Sequence, residues 1–184
     1  MFNATCDAGT ELCCIDLHTI ATHILTLIGD ALDGCLENTH CSPIGRYVTA
    51  GDGDDGIPDA LTVSMVDVAP SNPSSPQGHL VRLPLVQSRF QVRLIESGWP
   101  VVQTSGQTIV PPQPAAQNEA ARQWLAHGEL IYRTILAARS GHRLLPGNLR
   151  TTPVGLGPLT PIRPKGGLAG WTVALAVDIP MGGG

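Results

Sequence analysis

The chain has 184 residues and a formal net charge of −4 at pH 7, with a pI near 5.8. This acidic balance argues against tight non-specific binding to nucleic acid, which requires a basic surface. Hydrophobic residues make up 42% of the chain, which is enough for one domain to bury a hydrophobic core. Charged residues make up only 14%, so the remaining surface is easily covered by neighbouring subunits. The composition predicts a single domain, residues 1–184, that forms oligomers.

The start of the chain shows no targeting segment. Residues 1–14 lack the basic and apolar regions of a signal peptide, and we interpret them as an N-terminal arm. No apolar run reaches the roughly 20 residues that a membrane-spanning helix needs. We therefore expect a soluble protein that is made in a cytoplasm and has no membrane partner.

The first predicted element is an amphipathic helix from about Asp16 to Glu37. Apolar residues at three- and four-residue spacing form one face of it: Leu17, Ile20, Ala21, Ile24, Leu25, Ile28, Leu32, Cys35 and Leu36. A short extended piece, residues 46–49, comes next. The helix face is expected to pack on a sheet or on a neighbouring subunit.

Two strands follow, Leu61–Val68 and Arg89–Glu96, and both show the two-residue alternation of a half-buried strand. We expect them to pair antiparallel. The residues predicted to face the core are Leu61, Val63, Met65, Phe90, Val92 and Leu94, and those predicted to face outward are Arg89, Gln91 and Arg93. Residues 81–85 are predicted to form a short edge segment, because Pro84 cannot donate to a ladder. Long loops are predicted at residues 70–80 and 98–115.

A second amphipathic helix is predicted from about Ala115 to Ser140, with Gly141 as its C-terminal cap. Its apolar face contains Ala121, Trp124, Leu125, Gly128, Ile131, Tyr132, Ile135 and Leu136. A proline-interrupted extended stretch, residues 151–162, leads to a last strand over residues 170–179. In that strand every second residue is large and apolar, namely Trp171, Val173, Leu175, Val177 and Ile179.

The order α-β-β-α-β-β predicts the α+β class. We expect a small antiparallel or mixed sheet flanked by two main helices, since an amphipathic helix can bury its apolar face against one side of such a sheet.

Five cysteines lie in the first quarter of the chain: Cys6, Cys13, Cys14, Cys35 and Cys41. An odd number without a signal peptide argues against a disulfide framework. Cys6, Cys13, Cys35 and Cys41 could hold a structural zinc ion if the arm folds back over the first helix, although their spacing is not that of a zinc knuckle. Reduced, buried thiols are the alternative interpretation.

The segment Gly51–Gly56 resembles the start of a calcium loop, but the late bidentate acid is absent because Val63 stands in its place. A metal-dependent nuclease would need Asp52, Asp54, Asp55 and Asp59 to form a preorganised site, whereas Asp-Gly steps are typical of solvated turns. The six histidines are scattered: His18, His23, His40, His79, His127 and His142. There is no nucleophile elbow or phosphate-binding loop. We predict no catalytic, cofactor-binding or metal-binding residue.

Taken in order, several segments resemble the tail terminator proteins of phages with long, non-contractile tails. The first helix ends in residues 31–36, and residues 43–48 lead to Gly51. The further matching segments are Leu61–Val63, Phe90–Leu94 followed by Trp99-Pro100, Leu130–Tyr132 and Gly167–Val173. The resemblance lies in the order of elements and covers most of residues 15–180.

The resemblance implies a structural virion protein of the head–tail neck rather than an enzyme. Members of the family form a hexameric ring, which caps the tail tube and ends tail elongation, and the resemblance implies the same ring for this chain. The implied partners are the tail tube protein and the head-completion (stopper) protein, and DNA passes through the lumen without sequence-specific recognition. Another neck or tail-completion ring protein and a small zinc-stabilised binding module are the alternatives. We also hypothesise that Arg89 and Arg93 meet acidic groups of a neighbouring subunit.

Overall fold

The protein, in a computed structural model, is described over residues 17–36, 44–51, 57–70, 85–105 and 108–180. The two helices within these ranges are α1 (Leu17–Leu36) and α2 (Pro114–Ser140). The strands are β1 (Gly45–Ala50), β2 (Ala60–Pro70), β3 (Leu85–Glu96), β4 (Gln103–Ser105), β5 (Thr108–Val110), β6 (Val154–Leu156), β7 (Thr160–Lys165) and β8 (Leu168–Pro180). A 3-10 turn spans Gly147–Leu149.

Six strands form one mixed sheet in the order β1-β2-β3-β8-β6, and β7 pairs with β8 beside β6. Strand β1 runs parallel to β2, and the other neighbours are antiparallel. This confirms the α+β class and the two predicted helices. The predicted order is roughly right, but the structure adds β1 and a separate β4–β5 hairpin and divides residues 151–162 between β6 and β7.

The centre of the sheet is the pairing of β3 with β8, which runs without interruption from Leu85↔Pro180 to Glu96↔Ala169. On the other side of β3, β2 pairs antiparallel as predicted, with an irregular register between Met65 and Asp67. The predicted edge segment at residues 81–85 lies outside the described residues except for Leu85, which begins β3.

Alternation along the three central strands decides which side chains enter the core. The predicted inward residues of β3 and β8 are buried, and so are Leu61 and Val63 of β2, while Met65 is partly buried against them. Helix α1 lies against β1 and β2, helix α2 lies against β8, and the helices contact each other. Both helices therefore cover the same face of the sheet.

The apolar face of α2 is narrower than predicted. Its buried residues are His127, Gly128, Ile131, Ile135 and Ala138. Leu125 and Leu136, which the sequence assigned to that face, are 55% and 38% exposed. Leu125 follows the half-buried Trp124 by one residue and Leu136 follows the buried Ile135 by one residue, so a rotation of about 100° per residue turns each toward solvent.

The end of α2 is capped close to where the sequence predicted. The amide N–H of Gly141 donates to the carbonyl of Ala137 at 3.0 Å, and that of Arg143 donates to the carbonyl of Ala138 at 2.7 Å. The left-handed residue is His142, with φ of 52°, and not Gly141. Over the described residues, neither helix combines the length and apolar character needed to cross a bilayer.

Replacing Trp171 with alanine is expected to lower the free energy of unfolding by about 3–5 kcal/mol, because a large buried side chain leaves a cavity that the core cannot close. Trp171 is 9% exposed and stacks on Trp124 with ring centroids 4.3 Å apart. Chemical denaturation measures the loss, and Leu125→Ala, at an exposed position, is the matched control. A loss below about 1 kcal/mol would contradict the placement of β8.

Candidate assembly surface

The histidines of the described residues do not converge on a site. Within the described ranges, no group of three or more His, Cys, Asp or Glu side chains is arranged to hold a metal ion. His23 Nε2 lies 2.9 Å from the carbonyl oxygen of Arg143, and His127 pairs with Glu96. Both contacts join α1 or β3 to the second half of the chain and are structural. His40 and His79 lie outside the described residues.

Asp59 is a turn residue. This agrees with the interpretation of the aspartates as turn residues, which is the alternative to the nuclease hypothesis. It adopts φ of 51°, and its carboxylate accepts hydrogen bonds from the Ser97 amide at 2.8 Å and the Ser97 hydroxyl at 2.6 Å. Both carboxylate oxygens are thereby used in joining the start of β2 to the end of β3. The other three aspartates of that hypothesis, Asp52, Asp54 and Asp55, lie outside the described residues.

The zinc hypothesis concerns a part of the chain that is mostly outside the described residues. Cys6, Cys13, Cys14 and Cys41 all lie outside them. Cys35 falls within α1, one residue before its end. The hypothesis therefore remains a sequence prediction.

Three tryptophans join α2 to one end of the sheet. Trp124 stacks on Trp171 with an interplanar angle of 22°, and Trp99 meets Trp124 edge-on with ring centroids 5.6 Å apart. The indole N–H of Trp171 donates to the Trp124 carbonyl at 2.8 Å, and that of Trp124 donates to the Gly170 carbonyl at 3.1 Å. Each buried indole thus has a partner for its only polar group, which makes this a rigid joint.

A hollow beside this joint, between Glu96, Trp99 and Trp124, has a volume of about 60 Å³. That is room for a water molecule or two and far below the few hundred Å³ of typical ligand pockets. The Glu96 carboxylate at its wall is already paired with His127, which is 7% exposed. This arrangement holds α2 on the sheet and offers no space for a substrate.

One edge of the sheet is formed by β1, whose outer side is not paired with any other strand of the described residues. Arg46 fixes this strand to α1 by donating to Asp30 at 2.9 Å and to Asp33 at 2.5 Å. Two acids three residues apart lie on the same side of a helix, so one guanidinium can reach both. This clamp is not among the sequence predictions, although the Asp-x-x-Asp spacing on the polar face of α1 was a usable signal.

The side chain of Tyr47 lies over Gly45 on the face of β1 that points away from the helices. A Cβ atom at Gly45 would stand 2.7 Å from the Tyr47 ring, so a larger residue there would displace the ring. Tyr47 is nevertheless 45% exposed. The edge therefore combines unpaired backbone groups with an exposed aromatic ring, which is typical of a surface that another chain covers.

The opposite edge is formed by β6 and β7 and has a different character. Strand β7 contains Pro161 and Pro164, which have no N–H to donate, and the exposed cations Arg163 and Lys165. Prolines and charges on an edge oppose the addition of a further strand. Contacts at this edge are therefore expected to be made by side chains.

The segment 98–115, predicted as a loop, contains the β4–β5 hairpin and ends where α2 begins at Pro114. Val101, Val102 and Val110 flank the hairpin and are 45%, 58% and 46% exposed. Three solvent-exposed valines at one short hairpin indicate a contact surface.

The two arginines predicted to face outward on β3 differ in their surroundings. Arg89 is exposed, whereas Arg93 is half-buried and already interacts within the chain. The hypothesis of a contact with a neighbouring acid is therefore kept for Arg89 alone.

No protein-family model matches the chain, and no curated protein matches it. The resemblance to tail terminators consequently stays a prediction from the sequence.

Gly128→Ala is expected to destabilise the fold by about 1–3 kcal/mol, although alanine favours a helix, because the added methyl would stand 2.4 Å from the Trp171 ring. Gly34→Ala is the matched control, since nothing lies within 4 Å of its new Cβ atom. The control should stabilise by about 0.5–1 kcal/mol through helix propensity. Equal effects of the two substitutions in thermal unfolding would contradict the tryptophan joint.

Proposed function

We propose that this chain is a structural virion protein of the tail terminator type. It forms a ring, with six copies as the expected number, that caps the tail tube and stops its elongation. The ring joins the tail to the head-completion protein of the neck, and DNA passes through its lumen.

The observation that carries this proposal is the open sheet. Its two edges, β1 on one side and β6 with β7 on the other, differ in chemistry. Unlike edges on opposite sides of one subunit favour head-to-tail contacts between different surfaces, and such contacts close into rings when the rotation between subunits allows it.

The exposed apolar side chains support contacts of one subunit with more than one neighbour. Tyr47 lies on one edge, and the valines around the β4–β5 hairpin project from another part of the chain. A tube-capping ring needs contacts both between its own subunits and with the rings above and below. Separate apolar surfaces are consistent with that need.

The charge of the chain suits a passage for DNA. A net charge of −4 per subunit gives any ring an acidic balance, which disfavours tight binding of a polyanion.

Polymerisation of tail tubes in the presence of the purified chain tests the proposal. Tube subunits of the same phage are allowed to grow with and without the chain carrying a gold label, and tube lengths and label positions are read by electron microscopy. The chain should stop growth and label one end only. Unchanged tube growth together with no label at the ends would contradict the proposal.

The hairpin valines provide a variant for the same assay. Val101→Ser combined with Val102→Ser should weaken end-binding by about tenfold or more, because two apolar contacts are lost while the core is untouched. Leu136→Ser, also at an exposed aliphatic position, is the control and should bind as the unmodified chain does. Equal losses in both would contradict a specific role of the hairpin.

A further inference from the structure

A second cavity, of about 290 Å³, lies where the end of α2 approaches β6. This volume is near the lower limit of the few hundred Å³ that are typical of small-molecule pockets. The described residues that line the cavity include no acid. Its exposed lining is basic and its buried lining is apolar. The basic residues are Arg139, His142 and Arg150, and the apolar ones include Leu144, Leu145 and Val154.

Backbone hydrogen bonds fix both sides of this cavity. On one side the chain turns at His142, which has φ of 52° and donates its amide N–H to the carbonyl of Arg139 at 3.2 Å. On the other side the amide N–H of Leu149 donates to the carbonyl of Pro146 at 3.2 Å, and that of Thr152 donates to the carbonyl of Leu149 at 2.9 Å. The cavity is therefore formed before any ligand enters, which lowers the entropic cost of binding.

The two arginines of the cavity are not used within the described part of the chain. Neither Arg139 nor Arg150 forms an ion pair or a side-chain hydrogen bond with another described residue. A cation in the last turn of a helix complements the helix dipole, and Arg139 lies in that position. Backbone amides, however, already satisfy the carbonyls of residues 137–139, and Arg150 lies outside the helix. Two unpaired arginines around one hollow of an acidic chain thus form a local positive charge that an anion would neutralise.

We propose that this cavity binds a small amphiphilic anion, that is, an oxyanion carried on a short aliphatic body. The guanidinium groups of Arg139 and Arg150 donate to the oxyanion, because a planar guanidinium matches the paired oxygens of a carboxylate or a phosphate. The apolar lining covers the aliphatic body. This site goes beyond the proposed function and does not depend on it.

The phosphate backbone of a nucleic acid is a poorer fit for this cavity. DNA is bound along rows of cations that follow its backbone, whereas these cations surround a single hollow. The apolar lining has no function in holding a backbone phosphate, but it would remove an alkyl chain from water.

A set of five probes tests the proposal on the unmodified chain, with binding followed through the amide shifts in NMR spectra. Hexanoate and hexyl phosphate share the aliphatic body and differ in the oxyanion. Acetate and inorganic phosphate lack the body, and hexylammonium reverses the charge. At least one of the two hexyl anions should bind at least about tenfold more tightly than its short counterpart, because the aliphatic carbons are buried as well. The shifts should concentrate in residues 139–154, and the head group that binds more tightly identifies the oxyanion.

Substitution of the arginines tests their role. Arg139→Gln and Arg150→Gln should each weaken binding of the preferred hexyl anion by about tenfold or more, since each removes a charged donor. Arg163→Gln, at an exposed arginine of β7 that does not line the cavity, is the matched control and should bind as the unmodified chain does. Circular dichroism checks that the three variants are folded, as their exposed positions predict.

The unmodified chain alone can overturn the proposal. Hexyl anions that bind no more tightly than acetate and phosphate would contradict the apolar part of the site, and hexylammonium that shifts the same amides would contradict its charge. Equal losses in all three variants would also overturn it, because they would reduce the effect to the overall charge of the chain. None of these outcomes bears on tail tubes, so the proposed function is tested separately.

Discussion

The pairing of β3 with β8 is the interaction on which the rest of the structure depends. These strands lie side by side over their full described lengths and present one continuous apolar face, from Phe90, Val92 and Leu94 to Trp171 and Val177. Both helices cover that face, so the hydrophobic effect fixes the register of the two strands, since a slip by one residue would turn every apolar side chain to the other face. The remaining strands are placed by what they pair with on either side of this centre.

The two edges of the sheet differ in their structure and chemistry. On one side, β1 is short and is held to α1 by the Arg46 clamp, which leaves the far end of β2 uncovered in the described part of the chain. On the other side, prolines prevent further strand addition beside a basic hollow. Two edges that differ in chemistry favour head-to-tail association between copies.

The sequence predicts those parts of the fold that hydrophobic periodicity controls. The alternation of Trp171, Val173 and Leu175 identified β8, and the three- and four-residue spacing identified both helices within a residue or two. Strands β4, β5 and β6, each three residues long, are too short for alternation to be informative. The register shift between Met65 and Asp67 is not predictable for another reason: it depends on pairing with β3 and leaves no periodic signal in β2.

Electron cryo-microscopy of the purified chain bound to tail tubes tests the central claim, that opposite sheet edges of neighbouring copies meet in a ring. The account predicts two-dimensional class averages with six-fold symmetry at the head-proximal end of the tube. In the three-dimensional map, the sheet edge that carries β1 should face the edge formed by β6 and β7 in the next copy. A ring whose copies meet through α2 or the hairpin alone, with both sheet edges in solvent, would contradict it, as would a chain that never associates with tubes.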